Sequence, residues 1–227
     1  MKKIFRYLKE TAALTIMVSL LITLNYFIFE PEIIKGAADT IVVTQVVTAE
    51  TAISTPVDVS MSGSIAGVTG NLGAPTTGSV AWTISSNNSF GFQMTLAAST
   101  NPALRLDGTY NFSDYSPASA GTPDYSWTSP AASAAEFGYT VEPATAADTI
   151  AKFMDNGVDT CNSGTNNTAN KCWYNFSSIT PETVINRSSN TSSGGEVETV
   201  RFQAESNAKY LSSGNYTATI TATVTDN

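Results

Sequence analysis

Histidine is absent from this chain of 227 residues, and its absence excludes several kinds of catalytic site. Without an imidazole there is no Ser-His or Cys-His nucleophile system and no histidine-ligated metal. Beyond residue 38 the sequence holds only Lys152, Lys171 and Lys209 as lysine bases, and none lies in a serine-lysine motif. No glycine-rich phosphate loop follows a predicted strand. These absences predict a protein that is not an enzyme and that carries no cofactor.

Positive charge is scarce outside the N-terminal segment. Residues 39–227 hold six Lys and Arg against sixteen Asp and Glu, a net charge of −10. Because a surface of this sign repels nucleic acid and anionic lipid, neither is an expected partner. The first ten residues are the exception, since four of them are basic, and an apolar run from Ala12 to Phe29 follows them.

A basic start followed by an apolar run predicts an export signal. The run is long for a signal core and just long enough to span a bilayer, so residues 1–38 are either a cleaved signal peptide or an N-terminal membrane anchor. Small residues in Lys35-Gly36-Ala37-Ala38 favour cleavage after Ala38. Under either alternative the positive-inside rule places residues 39–227 outside the cytoplasm, secreted or at the cell surface. The membrane is then contacted only through the N-terminal segment.

Cysteine occurs only at positions 161 and 172. In an exported chain an isolated pair predicts a disulfide, Cys161–Cys172. A metal site is the alternative, but the chain offers no histidine to complete it.

Alternation of apolar and polar residues dominates both ends of residues 39–227. Gly78–Ser99 alternates twice around the polar break Ser85–Ser89, which predicts a β-hairpin with one apolar face. Asn215–Thr225 alternates apolar residues with threonines, and it predicts a strand that packs as a second layer over this hairpin. The sequence therefore predicts an all-β fold, an antiparallel β-sandwich of the Ig-like or jelly-roll-like type. The apolar residues concerned are Val80, Trp82, Ile84, Phe90, Phe92, Met94 and Leu96 in the first stretch, and Tyr216, Ala218, Ile220, Ala222 and Val224 in the second.

Residues 107–195 are rich in turn signals and predict a loop-rich insertion in the sandwich, not a second domain. One short helix is expected within it, over Ala144–Gly157, with Thr145 as the N-cap. Ile150, Phe153 and Met154 would lie on the buried face of that helix. The insertion also contains the cysteine pair.

Aromatic residues of the insertion are surrounded by Asn, Ser and Asp, and two interpretations stay open. The rings form a surface that stacks on glycans, or they form the small core of the insertion itself. The residues are Tyr115, Tyr125, Trp127, Trp173 and Tyr174.

Oxygen-bearing side chains lie close together in Asp155-Asn156-Gly157-Val158-Asp159. Calcium binds such clusters, so Asp155 and Asp159 are candidate calcium ligands. The spacing is not that of an EF-hand loop, and a helix end followed by a polar turn explains the same residues.

The stretch Asp39–Val47 is apolar on both faces. Ile41, Val43 and Val47 lie on one side of a predicted strand, with Val42 and Val46 on the other. Such a strand either completes the sheet of its own chain or is added to the sheet of a neighbouring copy, and the second arrangement propagates as a fibre. The first functional hypothesis is therefore a structural protein of the cell surface, a filament or surface-layer subunit whose partner is itself.

Two stretches resemble bacterial WxL surface domains. Ala81-Trp82-Thr83-Ile84 and Gly91–Leu96 are similar to their Trp-x-hydrophobic blocks, although the second block here is Met94-Thr95-Leu96. Gly214–Thr225 resembles their closing strand, and it equally resembles the last strand of secreted pilin-like and spore-coat-type sandwiches. The resemblance implies a cell-surface β-sandwich. It also implies an alternative function, a carbohydrate- or peptidoglycan-binding module with cell-wall glycans as partners.

Overall fold

A computed structural model of the chain describes residues 2–28, 41–143, 148–176 and 179–227. The chain divides into two units, residues 1–46 and residues 47–227. Helix α1 of the first unit runs from Lys2 to Ile28. Its segment Arg6–Asn25, 20 residues of mean hydropathy 1.4, is long and apolar enough to cross a membrane, as a signal sequence also is. The predicted cleavage after Ala38 lies outside the described residues.

The second unit consists mostly of strands in two sheets. The strands are β1 (Thr51–Ile53), β2 (Thr76–Ser86), β3 (Phe92–Ala98), β4 (Ser113–Asp114), β5 (Ala134–Pro143), β6 (Glu182–Arg187), β7 (Glu196–Asn207) and β8 (Ile220–Asp226). One sheet has five strands in the order β1-β2-β7-β5-β4, and the other has three in the order β6-β3-β8. Neighbouring strands are antiparallel except for β4 and β5, which are parallel.

A single hydrophobic core draws on both sheets. Ile84 of the larger sheet and Phe92 and Met94 of the smaller sheet are fully buried, as the alternation in the sequence predicts. Each such side chain removed from water stabilises the fold by roughly 1.5–3 kcal/mol. The prediction of an all-β fold is confirmed at the level of two sheets and one disulfide. The type of sandwich stays a prediction.

The predicted hairpin is wrong, because β2 and β3 lie in different sheets. The connection between them crosses from one sheet to the other, and Asn88 organises it. The Asn88 Nδ2 donates to the Gly91 carbonyl at 2.9 Å, and the Phe90 N–H donates to Asn88 Oδ1 at 3.1 Å. Gly91 has φ +82°, and a Cβ there would collide with the Arg187 carbonyl. Phe90 is 72% exposed, so its predicted place on the apolar face is also wrong.

The predicted second layer is confirmed for Trp82 of β2, since β8 lies in the other sheet, and is wrong for Phe92 of β3, since β8 is the edge strand of the same sheet. β8 pairs side by side with β3, with Ala222 opposite Leu96 and Val224 opposite Met94. Its apolar residues are therefore in the same sheet as Phe92, and they are only partly buried.

Residues 107–195 are part of the two sheets, so their interpretation as an insertion is wrong. They supply β4 and β5 to the larger sheet and β6 to the smaller one. β5 lies between β7 and β4, and it pairs with β7 along its full length from Ala134 to Pro143.

In the described part of the predicted helix, residues 148–157, there is no α-helix, and Ala151–Phe153 forms a 3₁₀ turn. The predicted N-cap, Thr145, lies outside the described residues. Ile150 on one side of the turn and Met154 on the other have extended backbone, with ψ 151° and 142°. The Ile150 N–H donates to the Val184 carbonyl at 3.2 Å, so pairing with β6 replaces helical hydrogen bonding here. Phe153 is nevertheless fully buried, as predicted.

The predicted disulfide Cys161–Cys172 is confirmed, and both cysteines are buried. Replacing both cysteines by alanine is expected to lower the free energy of unfolding by roughly 2–3 kcal/mol, because the unfolded chain loses a closed loop. Urea denaturation of the double variant and of the parent chain measures this difference. Parent protein in reducing agent is the control and should show a similar loss. Equal midpoints for all three samples would contradict the prediction.

Candidate functional site

Among the five aromatic residues proposed for glycan stacking, here called the aromatic cluster, Tyr115, Trp127 and Trp173 pack against one another, and Tyr174 packs against Tyr139 and Phe153. Tyr115, Trp173 and Tyr174 are buried, and only Tyr125 and Trp127 keep partial exposure. The Tyr115 and Trp127 rings stack with centroids 4.4 Å apart, and Trp173 meets Trp127 edge-on at 5.4 Å. The interpretation of all five rings as one solvent-facing surface is therefore wrong for the three buried ones.

Gly138 of β5 allows this aromatic cluster to lie directly on the sheet. A Cβ at this position would be 2.7 Å from Tyr115 Cβ and 3.2 Å from the Trp127 ring. The Tyr115 hydroxyl donates to Asp124 Oδ2 at 2.7 Å and accepts from the Thr128 N–H at 3.1 Å. Burial and this contact with Asp124 raise the pKa of Tyr115 well above its ordinary value.

Two lysines cover further ring faces. Lys171 Nζ lies 4.3 Å from the centroid of Tyr125, and Lys152 Nζ lies 3.7 Å from that of Tyr174. Cations placed over ring faces are attracted by the ring quadrupole. The faces of these two tyrosines are thus partly occupied by the chain's own side chains.

Glu205 is a fully buried carboxylate beneath the aromatic cluster, and sequence reasoning missed it. Its Oε2 accepts from Trp127 Nε1 at 2.7 Å. Its Oε1 accepts from the Gly73 N–H at 2.5 Å and from Ser129 Oγ at 3.0 Å. Three donors from two loops, one containing Gly73 and the other containing Trp127 and Ser129, replace the hydrogen bonds to water that the carboxylate loses, so Glu205 links both loops to β7.

The two candidate calcium ligands, Asp155 and Asp159, accept hydrogen bonds from different groups of the chain. Asp155 is fully buried, and its carboxylate accepts from the Gly157 N–H at 2.7 Å and from the Thr168 N–H at 2.8 Å. Asp159 accepts from Asn156 Nδ2 at 3.2 Å and from Thr160 Oγ1 at 2.8 Å. Among the residues that the structure describes, no group of three or more Cys, Asp or Glu is placed to hold a metal. Calcium binding at Asp155 and Asp159 stays an untested prediction.

Glu198 is a second buried acid that sequence reasoning missed, although it stands in phase with the inward Val200 and Phe202 of β7. It is 1% exposed, and in the described part of the chain neither carboxylate oxygen has a hydrogen-bond partner. The nearby Arg187 instead pairs with Asp148 at 2.6 Å and with Glu196 at 3.6 Å. Burial and, to a smaller extent, the charges of Asp148 and Glu196 raise the pKa of Glu198 to about 8, whereas the charge of Arg187 opposes this shift.

The predicted assembly strand is not a strand within its own chain. Residues 41–50 have no regular secondary structure. Ile41 is 83% exposed, Val43 85% and Val47 78%, so none of the three has a place in a core. Beyond this segment, Glu50 and Thr48 contact Asn87: the Glu50 N–H donates to Asn87 Oδ1 at 2.6 Å, and Asn87 Nδ2 donates to the Thr48 carbonyl at 3.1 Å.

These sites differ in how accessible their side chains are to a binding partner. The aromatic cluster and the buried carboxylates are mostly enclosed by the chain, whereas residues 41–47 present apolar side chains to solvent. No family model, no curated protein and no solved structure matches this chain.

Proposed function

We propose that this protein is a non-enzymatic structural subunit of the extracellular cell surface. Copies assemble into a filament or surface layer when residues 41–47 of one copy are added as a strand to the β-sandwich of the next. One observation carries the proposal: five of these seven residues are Ile or Val with exposures between 74% and 90%. The five are Ile41, Val42, Val43, Val46 and Val47.

The physical argument for strand addition is the cost of leaving this segment in water. Burying one such side chain contributes roughly 1.5–3 kcal/mol, so five represent a large driving force for association. Their branching at Cβ favours extended backbone, and an edge strand of a partner supplies the backbone hydrogen bonds. Because the donor segment and its acceptor are different surfaces, the contact is head-to-tail and propagates.

Export of the chain is the second part of the proposal. The apolar helix α1 is compatible with a signal sequence, and the disulfide Cys161–Cys172 suggests an oxidising compartment. We propose that residues 1–38 are a signal peptide or an N-terminal anchor, and that residues 39–227 function outside the cytoplasm.

Deletion of residues 41–47 from the full chain tests the assembly. Polymers seen by light scattering and electron microscopy are expected to disappear, because the donor strand is gone. The matched control keeps the chain length and replaces Ile41, Val42, Val43, Val46 and Val47 by serine, and it should also fail to polymerise. Both variants should keep the parent melting temperature, since these side chains are exposed. Polymers of unchanged form in the deletion variant would contradict the proposal.

A carbohydrate- or peptidoglycan-binding module is the second candidate. It is favoured by Tyr125 and Trp127, the two rings of the aromatic cluster that keep partial exposure. Under this proposal they contact cell-wall glycans at the surface of the larger sheet.

A further inference from the structure

We propose that the acceptor for residues 41–47 is the free edge of β8 in a second copy of the chain. The inference rests on the proposed function and adds the surface that receives the donor strand. That surface, here called the β8 edge, consists of the backbone of Ile220, Ala222 and Val224 and of their half-buried side chains.

The hydrogen bonds of β8 show which of its backbone groups face outward. The Ser99 N–H donates to the Thr219 carbonyl at 2.9 Å, and the Asn227 N–H donates to the Gly91 carbonyl at 3.2 Å. Residues 219 and 227 therefore face β3, and every second residue between them does so too. The N–H and C=O groups of Ile220, Ala222 and Val224 consequently point away from β3. Since β8 ends the order of its sheet, the described residues give these groups no partner strand. The strand β1 of the other sheet contacts β8 at its C-terminal end, where Thr51 Oγ1 donates to Asp226 Oδ1.

The core is incompletely covered along this edge. The side chains of Ile220, Ala222 and Val224 pack against the core but are only partly buried. Their paired neighbours on β3, such as Met94, are fully buried. On the other sheet Ile53 of β1 is likewise only partly buried. One further strand beside β8 would cover this opening with one of its faces.

The other strand edges are covered or short. The outer edge of β6 is covered where the Ile150 N–H donates to the Val184 carbonyl. The part of β2 that β1 leaves unpaired is covered where the Ser62 N–H donates to the Thr77 carbonyl at 2.7 Å. β4 has only two residues. β8 extends over seven residues, its pairing with β3 has no bulge, and it contains no lysine and no proline, the devices that protect natural edges.

The donor fits a second copy better than its own chain. The Asn87 N–H donates to the Glu50 carbonyl at 3.2 Å, which extends the pairing of Thr51 with Ser86 by one residue. The chain just before β1 is therefore held extended along Asn87. A return of residues 41–47 along β8 of the same chain would need a reverse turn between residue 47 and Glu50. In a second copy the seven donor residues are long enough to pair with β8 from Ile220 to Thr225, the part that precedes the contact of Asp226 with Thr51.

Ala222→Pro is the sharpest test, because proline has no N–H and its ring obstructs an approaching strand. The lost N–H points outward, so the ladder to β3 keeps all its bonds. In the full chain, polymer yield by sedimentation is expected to fall at least 10-fold, with the melting temperature close to that of the parent. Thr223→Ala, which alters the exposed face of β8 but not its edge, is the matched control and should polymerise normally.

Cross-linking gives a readout that does not depend on how well the proline variant folds. Both native cysteines are in the disulfide, so introduced cysteines are the only free thiols. Val42→Cys, Thr44→Cys and Val46→Cys copies are each mixed with a Thr223→Cys copy. Oxidation is expected to join the two kinds of copy for at least one donor position, because both positions lie on the outer face of adjacent strands.

The outcomes separate the two proposals. Loss of polymers in Ala222→Pro together with cross-linking supports the β8 edge. If deletion of 41–47 stops assembly, whereas Ala222→Pro polymerises normally and no cross-link forms, the β8 edge is overturned and the proposed function stands. If the deletion variant still polymerises, both are overturned. If Ala222→Pro fails to fold, absence of every cross-link overturns the β8 edge.

Discussion

Trp127→Ala is expected to lower the free energy of unfolding by about 3 kcal/mol. The substitution removes a ring that stacks on Tyr115 at 4.4 Å and that contacts Trp173. It also removes the Nε1 donor from the buried carboxylate of Glu205, which then keeps one oxygen without a donor. Urea denaturation at neutral pH measures the change.

Trp127→Phe separates packing from hydrogen bonding. Phenylalanine keeps most of the stacked ring but not the donor, so about 1–2 kcal/mol of the loss should remain. Pelleting of each variant with purified peptidoglycan tests the alternative role. If Trp127→Ala kept the parent stability and lost only binding, Trp127 would be a binding residue and the packing argument would be wrong.

Glu198→Gln is expected to stabilise the protein in mildly alkaline solution and to change little near pH 5. Because burial raises the pKa of Glu198 from 4.5 to about 8, the folded protein retains a proton that the unfolded chain has already released. Stability therefore falls as the pH rises from about 4.5 to about 8, by an amount on the order of 5 kcal/mol. Glutamine carries no charge and removes this loss.

Thermal unfolding between pH 5 and pH 9 checks the effect. The melting temperature of the parent should fall as the pH rises across this range. The melting temperature of Glu198→Gln should change less with pH and should exceed that of the parent at the alkaline end. Asp58→Asn, at an exposed carboxyl, is the control and should keep the parent profile. Parallel profiles for the parent and Glu198→Gln would show that Glu198 is not the group responsible.

The alternation of residues predicted which side chains are buried better than it predicted which strands pair. Ile84, Phe92 and Met94 are buried as expected, yet their strands lie in different sheets. Period two assigns a face to each residue but does not identify the neighbouring strand. A polar break such as Ser85–Ser89 suits a hairpin turn and a crossing between sheets equally well. Part of what fixes the crossing is remote in sequence: Asn88 Nδ2 also donates to the Asn227 carbonyl at 3.3 Å, and Gly91 lies against the Arg187 carbonyl.

The two buried acids differ in how far the sequence could have revealed them. Glu198 stands in phase with Val200 and Phe202, so its inward direction follows from the pattern of β7. Glu205 is in the opposite phase, which ordinarily faces water. It is buried because Trp127 and Ser129 lie over that face of the sheet, and no local pattern predicts that long-range packing.

The pairing of β3 has a consequence for how quickly this protein folds. Residues 92–98 must meet residues 182–187 on one side and residues 220–226 on the other, so the smaller sheet needs two long chain closures. Closing long loops costs entropy before any contact is gained, and folds dominated by distant pairings form in milliseconds to seconds. Until both pairings have formed, the apolar side chains of β3 are exposed to solvent and can associate with other unfolded chains. If the chain is exported with its N-terminus first, β3 crosses the membrane before β8. Aggregation through β3 would therefore have to be prevented until β8 has also crossed.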